Sequence, residues 1–250
     1  MNNNILIPVE TTSRELTYKL VIAVLLSSKG LNCFLGAKKS IKELFNKVKP
    51  FIYLDKGYHE DVSENLIYEP IIQRGGKIIN LDEEGGVDSS DFHALNRRMP
   101  EHIIHYFEKI FIWGKPQNDF LQRNRHNYDE KKFIITGHPR FDLLKNQYNF
   151  LYEDERNEIH QKYGKFILIN TMNKYSNHSI GYEYLFDNYA HRVKAFNERV
   201  VYDKQKLKST NKLIGALGDS FDCNIIVRPH PEENFDYYVE KFKFSKNIKI

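Results

Sequence analysis

Short apolar runs that alternate with helix-like segments constrain the fold of this chain more than any other feature. The runs at residues 5–9, 33–35 and 51–54 have the length of buried strands, and the segments between them, at 16–28 and 41–48, have helical periodicity. A β-α-β-α-β order is typical of a parallel sheet with helices on both faces. The sequence therefore predicts an α/β fold of Rossmann-like type.

The same alternation continues through the first 140 residues. A helix at 64–73 is ended by two glycines, and a helix at 101–109 starts after a proline, which suits a first helical position. Further strands are predicted at 77–81, 110–113 and 133–136. We interpret residues 1–145 as one Rossmann-like domain.

A second cycle starts after residue 146. The predicted elements are a helix at 153–163, a strand at 166–170, one or two helices within 182–217, a strand at 224–227, a helix at 235–242 and a strand at 247–250. Such a sheet has few strands and an unprotected edge. We therefore expect residues 146–250 to be a second Rossmann-like domain with a parallel sheet that is truncated relative to a longer protein.

Composition excludes several classes of protein. With 250 residues, 41% hydrophobic and 28% charged, the chain can bury a sizeable core. A net charge of +4 suits small anionic ligands or a membrane surface and is a poor match to nucleic acid. No apolar run approaches the roughly 20 residues that span a bilayer, and residues 1–4 lack a signal-peptide start. We expect a cytoplasmic protein in which Cys33 and Cys223 are reduced core thiols.

Three adjacent carboxylates follow the strand at 77–81, in the segment 81–86 (LDEEGG). The carboxyl end of a parallel strand is where open α/β folds bind ligands. Mutual repulsion can raise the pKa of one carboxylate toward the working pH and make it a general base. Gly85 and Gly86 are expected to permit a sharp turn that presents it. The structural alternative is an acidic, solvated loop.

A second motif, VRPHPEE at 227–233, also follows a buried strand. Two prolines restrict the backbone on either side of His230. A rigid imidazole beside the guanidinium of Arg228 can bind a phosphate and stabilise it as a leaving group. The alternative is a proline-rich strand end with a surface histidine.

A third motif, TGHPRFD at 136–142, ends the first domain. Ligand sites are common between domains, so His138 and Arg140 are candidate ligand contacts. Alternatively, Arg140 and Asp142 pair with each other and hold a hinge.

Weaker signals come from the first loop of each domain and from two histidines. The hydroxyls of segment 8–14 suit helix capping or acceptor binding, and Thr171 and Asn173 suit a phosphate at a helix start. His102 and His105 share a helix face but lack a third metal ligand. No Asp-x-Asp, Walker or Gly-x-Gly-x-x-Gly motif occurs, so we expect neither a metal nor a cofactor.

In their order and spacing, these motifs resemble those of a known group of proteins. Glu83-Glu84-Gly85 and His230-Pro231 are similar to the paired signatures of bacterial sialyltransferases and of Kdo transferases of capsule synthesis, which have the GT-B fold of two Rossmann-like domains. The wider pattern, with Pro8-Val9-Glu10 and the segments 82–86, 136–140 and 228–231, resembles bacterial surface carbohydrate biosynthesis proteins over nearly the whole chain.

The resemblance implies a metal-independent glycosyltransferase that moves an acidic sugar from a CMP-sugar to a glycan or glycolipid acceptor. Glu83 would be the general base, with Glu84 tuning it, and His230 would contact the donor phosphate. The residues expected to contact substrate or nucleotide are Arg228, Pro231, Glu232, Thr171, Asn173, His138, Arg140, Gly85 and Gly86. The family also has a later Ser/Thr motif that binds the phosphate, and the 250 residues end before it could occur.

Two other functions stay open at this point. CDP-glycerol-dependent glycerophosphotransferases have similar Arg-Pro-His-Pro-like segments, which would change the donor. A non-catalytic subunit of a capsule assembly machine would fit an incomplete second domain. No nucleic-acid partner is expected, and a peripheral contact with the inner face of the cell membrane is compatible with the basic charge.

Overall fold

A computed structural model describes residues 3–60, 62–86, 88–89, 91–191 and 193–250. The chain divides into two compact units, Met1–Phe150 and Leu151–Ile250, which we call unit 1 and unit 2 and describe separately. Each unit contains a parallel β-sheet with α-helices between the strands. The predicted α/β class with parallel sheets is therefore confirmed.

Unit 1 contains a six-stranded sheet in which all neighbouring strands are parallel. Its strands are β1 (Asn4–Val9), β2 (Asn32–Ala37), β3 (Phe51–Asp55), β4 (Lys77–Leu81), β5 (Phe107–Ile112) and β6 (Phe133–Ile135). The spatial order is β2-β1-β3-β4-β5-β6, so the direction of winding reverses between β1 and β3. In open parallel sheets ligands bind outside the carboxyl ends of the strands at such a reversal.

The helices of unit 1 are mostly short. They are α1 (Thr12–Ser27), α2 (Lys38–Glu43), α3 (Glu69–Gln73), α4 (His93–Arg98), α5 (Lys115–Asn124) and α6 (Pro139–Asp142). Turns of 3-10 helix occur at Leu44–Asn46 and Glu101–Tyr106, and a π-helical turn at Glu64–Tyr68 precedes α3. A further 3-10 turn, Asn146–Tyr152, includes the last residues of unit 1 and the first two of unit 2.

One predicted helix of unit 1 is wrong. The segment 101–109 was expected to be one helix. Instead, a 3-10 turn ends at Tyr106, and residues 107–109 belong to strand β5. Phe107, Ile110 and Ile112 are all buried against the core, and pairing with β4 holds this segment extended. Tertiary packing thus overrides a local pattern that suits a helix.

The main core of unit 1 lies on one face of its sheet. Large buried side chains there include Tyr53, Tyr68, Ile78, Ile103 and Ile110. They belong to one cluster in which the strands pack against the segments between β2 and β6.

Helix α1 lies at the other face of the sheet and buries polar side chains while it exposes leucines. Its polar residues Glu15, Tyr18 and Lys19 are buried, whereas Leu16 and Leu20 are exposed. An apolar cavity of about 390 Å³ opens beside this helix. It is lined by Ile5, Ile22, Leu26, Leu31, Ile52, Leu54, Ile79, Leu81, Phe111, Thr136 and Pro139.

Unit 2 has three parallel strands in the order β7-β8-β9. Its elements are α7 (Glu153–Tyr163), β7 (Phe166–Asn170), α8 (Tyr182–Tyr189), α9 (Phe196–Ser220), β8 (Asn224–Arg228), α10 (Phe235–Phe242) and β9 (Ile248–Lys249). The core is formed mainly by Leu207, Ile214, Val227, Tyr238 and Phe242. Among the described residues, no helix has the length and apolar character needed to cross a membrane.

Candidate functional site

The acidic segment after β4 divides into buried and exposed carboxylates. Asp82 is buried, and its Oδ2 accepts a hydrogen bond from Arg98 Nε at 3.0 Å. Glu83 is buried as well, and its backbone N–H donates to the Lys56 carbonyl at 3.1 Å, which ties the loops after β3 and β4 together. Glu84 is exposed and accepts a hydrogen bond from Arg14 Nη1 at 3.1 Å. The segment is therefore more than a solvated loop.

The Glu83 carboxylate is surrounded by polar and cationic side chains. Its side chain is only 2% exposed. Oε2 lies 2.8 Å from Arg140 Nη2, and Oε1 accepts a hydrogen bond from the Tyr18 hydroxyl and lies 3.6 Å from Lys19 Nζ. These partners come from α1 and α6, so two helices and the loop after β4 meet at one carboxyl group.

This environment raises the pKa of Glu83 to about 7. Burial is the largest cause, because it penalises the charged form, and the negative charge of Glu15 adds to it. The cations Arg140 and Arg14 oppose the rise, and the charge of Glu84 supports it. A carboxyl group with a pKa near neutrality can take up and release a proton at physiological pH.

His138 is held neutral beside Glu83. Burial and the nearby charge of Arg140 lower the pKa of His138 to about 4. Its Nδ1 accepts the Arg140 backbone N–H at 3.2 Å, so the ring proton of the neutral form belongs on Nε2, which lies 3.7 Å from Glu83 Oε2. The ring stacks on Trp113, with centroids 4.8 Å apart.

Another buried carboxylate, Glu15, supports the loop after β1 and was not predicted as a site residue. Its oxygens accept the backbone N–H groups of Glu10 and Thr11 at 3.0 and 3.2 Å. Lys19 Nζ lies 2.8 Å away and Lys56 Nζ 3.1 Å away. These contacts lower the pKa of Glu15 to about 2 against the effect of its burial. An opposite-charge pair four residues apart inside an apolar helix was the available sequence signal.

The two glycines of the acidic segment act differently from the prediction. Neither Gly85 nor Gly86 has a positive φ, so neither is required by backbone conformation. A Cβ at Gly85 would lie 2.2 Å from Trp113 Cδ1, and one at Gly86 would lie 2.8 Å from Trp113 Cζ3. The glycines make room for the Trp113 ring, whose Nε1 donates to the Asp82 carbonyl at 2.6 Å.

The alternative pairing of Arg140 with Asp142 does not occur. Arg140 binds Glu83, and Asp142 Oδ1 lies 2.6 Å from Lys145 Nζ instead. Unit 1 therefore brings Glu83, His138 and Arg140 together and leaves Glu84 at the surface.

Unit 2 has its own buried carboxylate at the carboxyl ends of β7 and β8. Glu233 Oε1 accepts hydrogen bonds from the Thr171 hydroxyl at 2.8 Å and the His230 backbone N–H at 3.1 Å. Oε2 accepts a hydrogen bond from the Tyr238 hydroxyl at 2.6 Å, and Asn173 Nδ2 donates to that hydroxyl at 3.0 Å. Thr171 and Asn173 were predicted as ligand contacts, and the residue that organises them, Glu233, was not.

The residues of the Arg-Pro-His-Pro motif lie around this cluster. His230 is half-buried, and its Nδ1 accepts the Glu232 backbone N–H at 3.2 Å. Arg228 is exposed, with Nε donating to Asn170 Oδ1 at 2.9 Å, and Pro231 is exposed. The Glu232 carboxylate forms a salt bridge with Lys174 Nζ at 2.8 Å and accepts a hydrogen bond from the Tyr189 hydroxyl at 2.7 Å. The exposed guanidinium of Arg228 and the half-buried imidazole of His230 are thus the groups of this motif that can bind an anion.

Comparisons of the chain with protein-family models and with curated proteins found no match. The geometry of the two clusters is therefore the basis for assigning a function.

Proposed function

We propose that the chain is a metal-independent glycosyltransferase of GT-B type that transfers an acidic sugar, of the sialic acid or Kdo kind, from a CMP-sugar to a glycan or glycolipid acceptor. Unit 1 takes the acceptor and unit 2 takes the nucleotide. The observation that carries this proposal is Glu83, a carboxyl group with a pKa of about 7 at the ligand edge of a parallel sheet.

Glu83 is proposed to act as the general base. The acceptor hydroxyl gives its proton to the Glu83 carboxylate while its oxygen forms a bond to the anomeric carbon of the donor sugar. Because the Glu83 side chain is buried and Arg140 is 31% exposed, Arg140 is the partner that must swing outward to admit the acceptor. The Tyr18 hydroxyl then holds the carboxylate in place.

Arg228 and His230 are proposed to stabilise the leaving group. When the bond between the anomeric carbon and the phosphate oxygen breaks, its electron pair leaves with the phosphate of CMP. The exposed guanidinium of Arg228 and the imidazole of His230, two residues later, offer hydrogen-bond donors to that developing charge. Such donors accelerate the reaction because they interact more strongly with the transition state than with the ground state.

The first experiment is a calorimetric titration of the chain with CMP, UMP and CDP-glycerol. We expect CMP to bind most tightly, and His230→Ala to weaken this binding at least about tenfold, as expected for a lost hydrogen bond to a charged group. His160→Ala, an exposed histidine on α7, is the matched control and should bind CMP normally. Tighter binding of CDP-glycerol would favour a glycerophosphotransferase, and no binding of any nucleotide would contradict a nucleotide-dependent enzyme.

The second experiment separates catalysis from binding. Glu83→Gln should lower the rate of CMP release from a CMP-sugar in the presence of acceptor by about 10²–10⁴-fold, the contribution of a general base, with CMP affinity unchanged. Glu84→Gln should have a much smaller effect because Glu84 is exposed. Equal rates for wild type and Glu83→Gln would reject Glu83 as the base.

A further inference from the structure

A groove between α9 and α10 carries an unusual concentration of positive charge. It has a volume of about 420 Å³ and is lined by Lys204, Lys208 and Lys212 from α9 and by Lys241 from α10. We call it the lysine groove. The three lysines of α9 are four residues apart, so they lie on one helix face over about 12 Å.

The charges of the lysine groove are not compensated. Its other lining residues are Leu207, Asn211 and Tyr237, so no acidic side chain lines it. Within the described part of the chain none of its four lysines forms a salt bridge, whereas the neighbouring Lys206 and Lys243 pair with Asp203 and Glu240. Like charges four residues apart on a helix are mutually destabilising. This arrangement suits an anionic partner that supplies the missing negative charge.

An exposed aromatic residue follows the groove in the chain. Phe244, three residues after Lys241, is 91% exposed, the highest exposure among the large hydrophobic side chains described. Lys243 Nζ lies 5.1 Å from the centroid of the Phe244 ring. Lys246, two residues after Phe244, is also exposed. Lysines interleaved with an exposed Phe are typical of segments that insert into the boundary between lipid headgroups and acyl chains.

We propose that the lysine groove and Phe244 together form a docking surface for an anionic lipid bilayer. The lysines attract the lipid headgroups, and Phe244 inserts into the interface. A glycan or a nucleic acid can also lie against the Phe244 ring, but only a bilayer takes the ring into an apolar phase. The surface consists of residues that the proposed function does not use, so the two proposals can fail separately.

Co-sedimentation with vesicles tests the electrostatic part. The chain should bind vesicles of phosphatidylcholine with roughly one third phosphatidylglycerol at about 0.1 M salt, and should not bind vesicles of phosphatidylcholine alone. The triple variant K208Q/K212Q/K241Q should bind the anionic vesicles on the order of 100-fold more weakly, at about fivefold for each lysine. The control K29Q/K39Q/K47Q removes the same charge from exposed positions of unit 1 and should bind normally.

Fluorescence tests the insertion of Phe244. In Phe244→Trp, anionic vesicles should shift the added tryptophan emission to shorter wavelength, whereas an acidic polysaccharide or an oligonucleotide should not. Phe244→Ser should weaken vesicle binding and leave its salt dependence unchanged. The proposal is overturned if both triple variants lose binding equally, if the emission of Phe244→Trp does not shift, or if an oligonucleotide binds the groove while vesicles do not.

Discussion

Two buried glutamates, one in each unit, follow the ends of parallel strands but have opposite surroundings. Glu83 lies among charged groups, with Arg140 at 2.8 Å and Lys19 at 3.6 Å. Glu233 accepts its three hydrogen bonds from neutral donors, namely two hydroxyls and one backbone N–H. The surroundings of Glu83 favour a change of protonation state, whereas the hydrogen bonds of Glu233 hold the neighbouring loops in place.

The difference arises from the interior side chains that lie near each carboxylate. Behind Glu83 is Glu15, a second negative charge that raises the Glu83 pKa and is itself neutralised by Lys19 and Lys56. Behind Glu233 are Tyr238 and the core of unit 2. Position at a strand end is therefore not enough to identify a reactive carboxylate. The charges near it, here those of Glu15, Lys19 and Lys56, must also be known.

The largest expected effect follows from Glu15→Ala. This change leaves Lys19 buried without its main partner, which typically costs 3–5 kcal/mol, and we expect about 3 kcal/mol because Lys19 can turn to Glu83. Urea unfolding followed by the emission of Trp113, the single tryptophan of the chain, measures the stability of unit 1. Glu43→Ala, on the surface of α2, is the control, and a loss below about 1 kcal/mol for Glu15→Ala would show that the network contributes little.

The next largest expected effect is the change with pH in the contribution of Glu83 to the stability of the folded chain. The pKa of Glu83 is about 7 in the folded chain against an ordinary value of 4.5, so the folded state holds the proton more tightly. The free energy of unfolding contributed by Glu83 therefore falls as the pH rises from 4.5 to 7, by about 3 kcal/mol in total.

His138 changes stability in the opposite direction. Its pKa is about 4 against an ordinary 6.5, so its contribution rises with pH between these values and offsets that of Glu83 where the two ranges overlap. Of these two groups only His138 titrates in Glu83→Gln, so stability measured by Trp113 emission should rise from pH 4.5 to 6.5 relative to wild type. Parallel pH profiles for the two proteins would mean that Glu83 does not titrate in this range.

A smaller loss is expected for Glu233→Gln. The new amide N–H would face the Tyr238 hydroxyl, which already accepts a hydrogen bond from Asn173 Nδ2. A donor facing a donor costs about 1–3 kcal/mol when buried. Thermal unfolding monitored by far-UV circular dichroism measures the loss, and an unchanged midpoint would show that the Glu233 cluster is not structural.

The smallest effect is expected for Thr171→Val, which removes one hydrogen bond to Glu233 and keeps the side-chain shape. We expect a loss of about 1 kcal/mol. If Thr171 acts only through Glu233, CMP affinity should be the same as in wild type. A large drop in CMP affinity with normal stability would instead assign Thr171 to the nucleotide site.

Most of the strands and several helices follow from local patterns. The helices at 153–163 and 235–242 and the strands at 77–81 and 166–170 have the predicted bounds. The helix at 153–163 buries no side chain, and its bounds coincide with acidic residues in its first turn and with a glycine after its last residue. Helices α4 and α5 were not predicted. Each buries few apolar side chains, Leu95 in α4 and Leu121 in α5, which leaves little periodic signal.

The site could be predicted only in part, because burial is a property of the folded chain. The three carboxylates after β4 are equivalent in the sequence, yet Asp82 pairs with Arg98, Glu83 is buried among several partners and Glu84 is exposed. The leucines of α1 suggest that its apolar side faces the core. The opposite orientation, which buries Glu15 and Lys19, also depends on Lys56 from the loop after β3, a partner that no local pattern encodes.

The open apolar cavity beside α1 has a practical consequence for handling the protein. Dyes that fluoresce in apolar surroundings, such as anilinonaphthalene sulfonate, bind surfaces of this kind in fully native chains. A dye-based thermal-shift screen will therefore start from a high baseline, and a ligand that fills the cavity will lower that baseline before it raises the melting temperature. Screening in the dye-free format of intrinsic tryptophan emission avoids mistaking displacement of dye for a loss of folded protein.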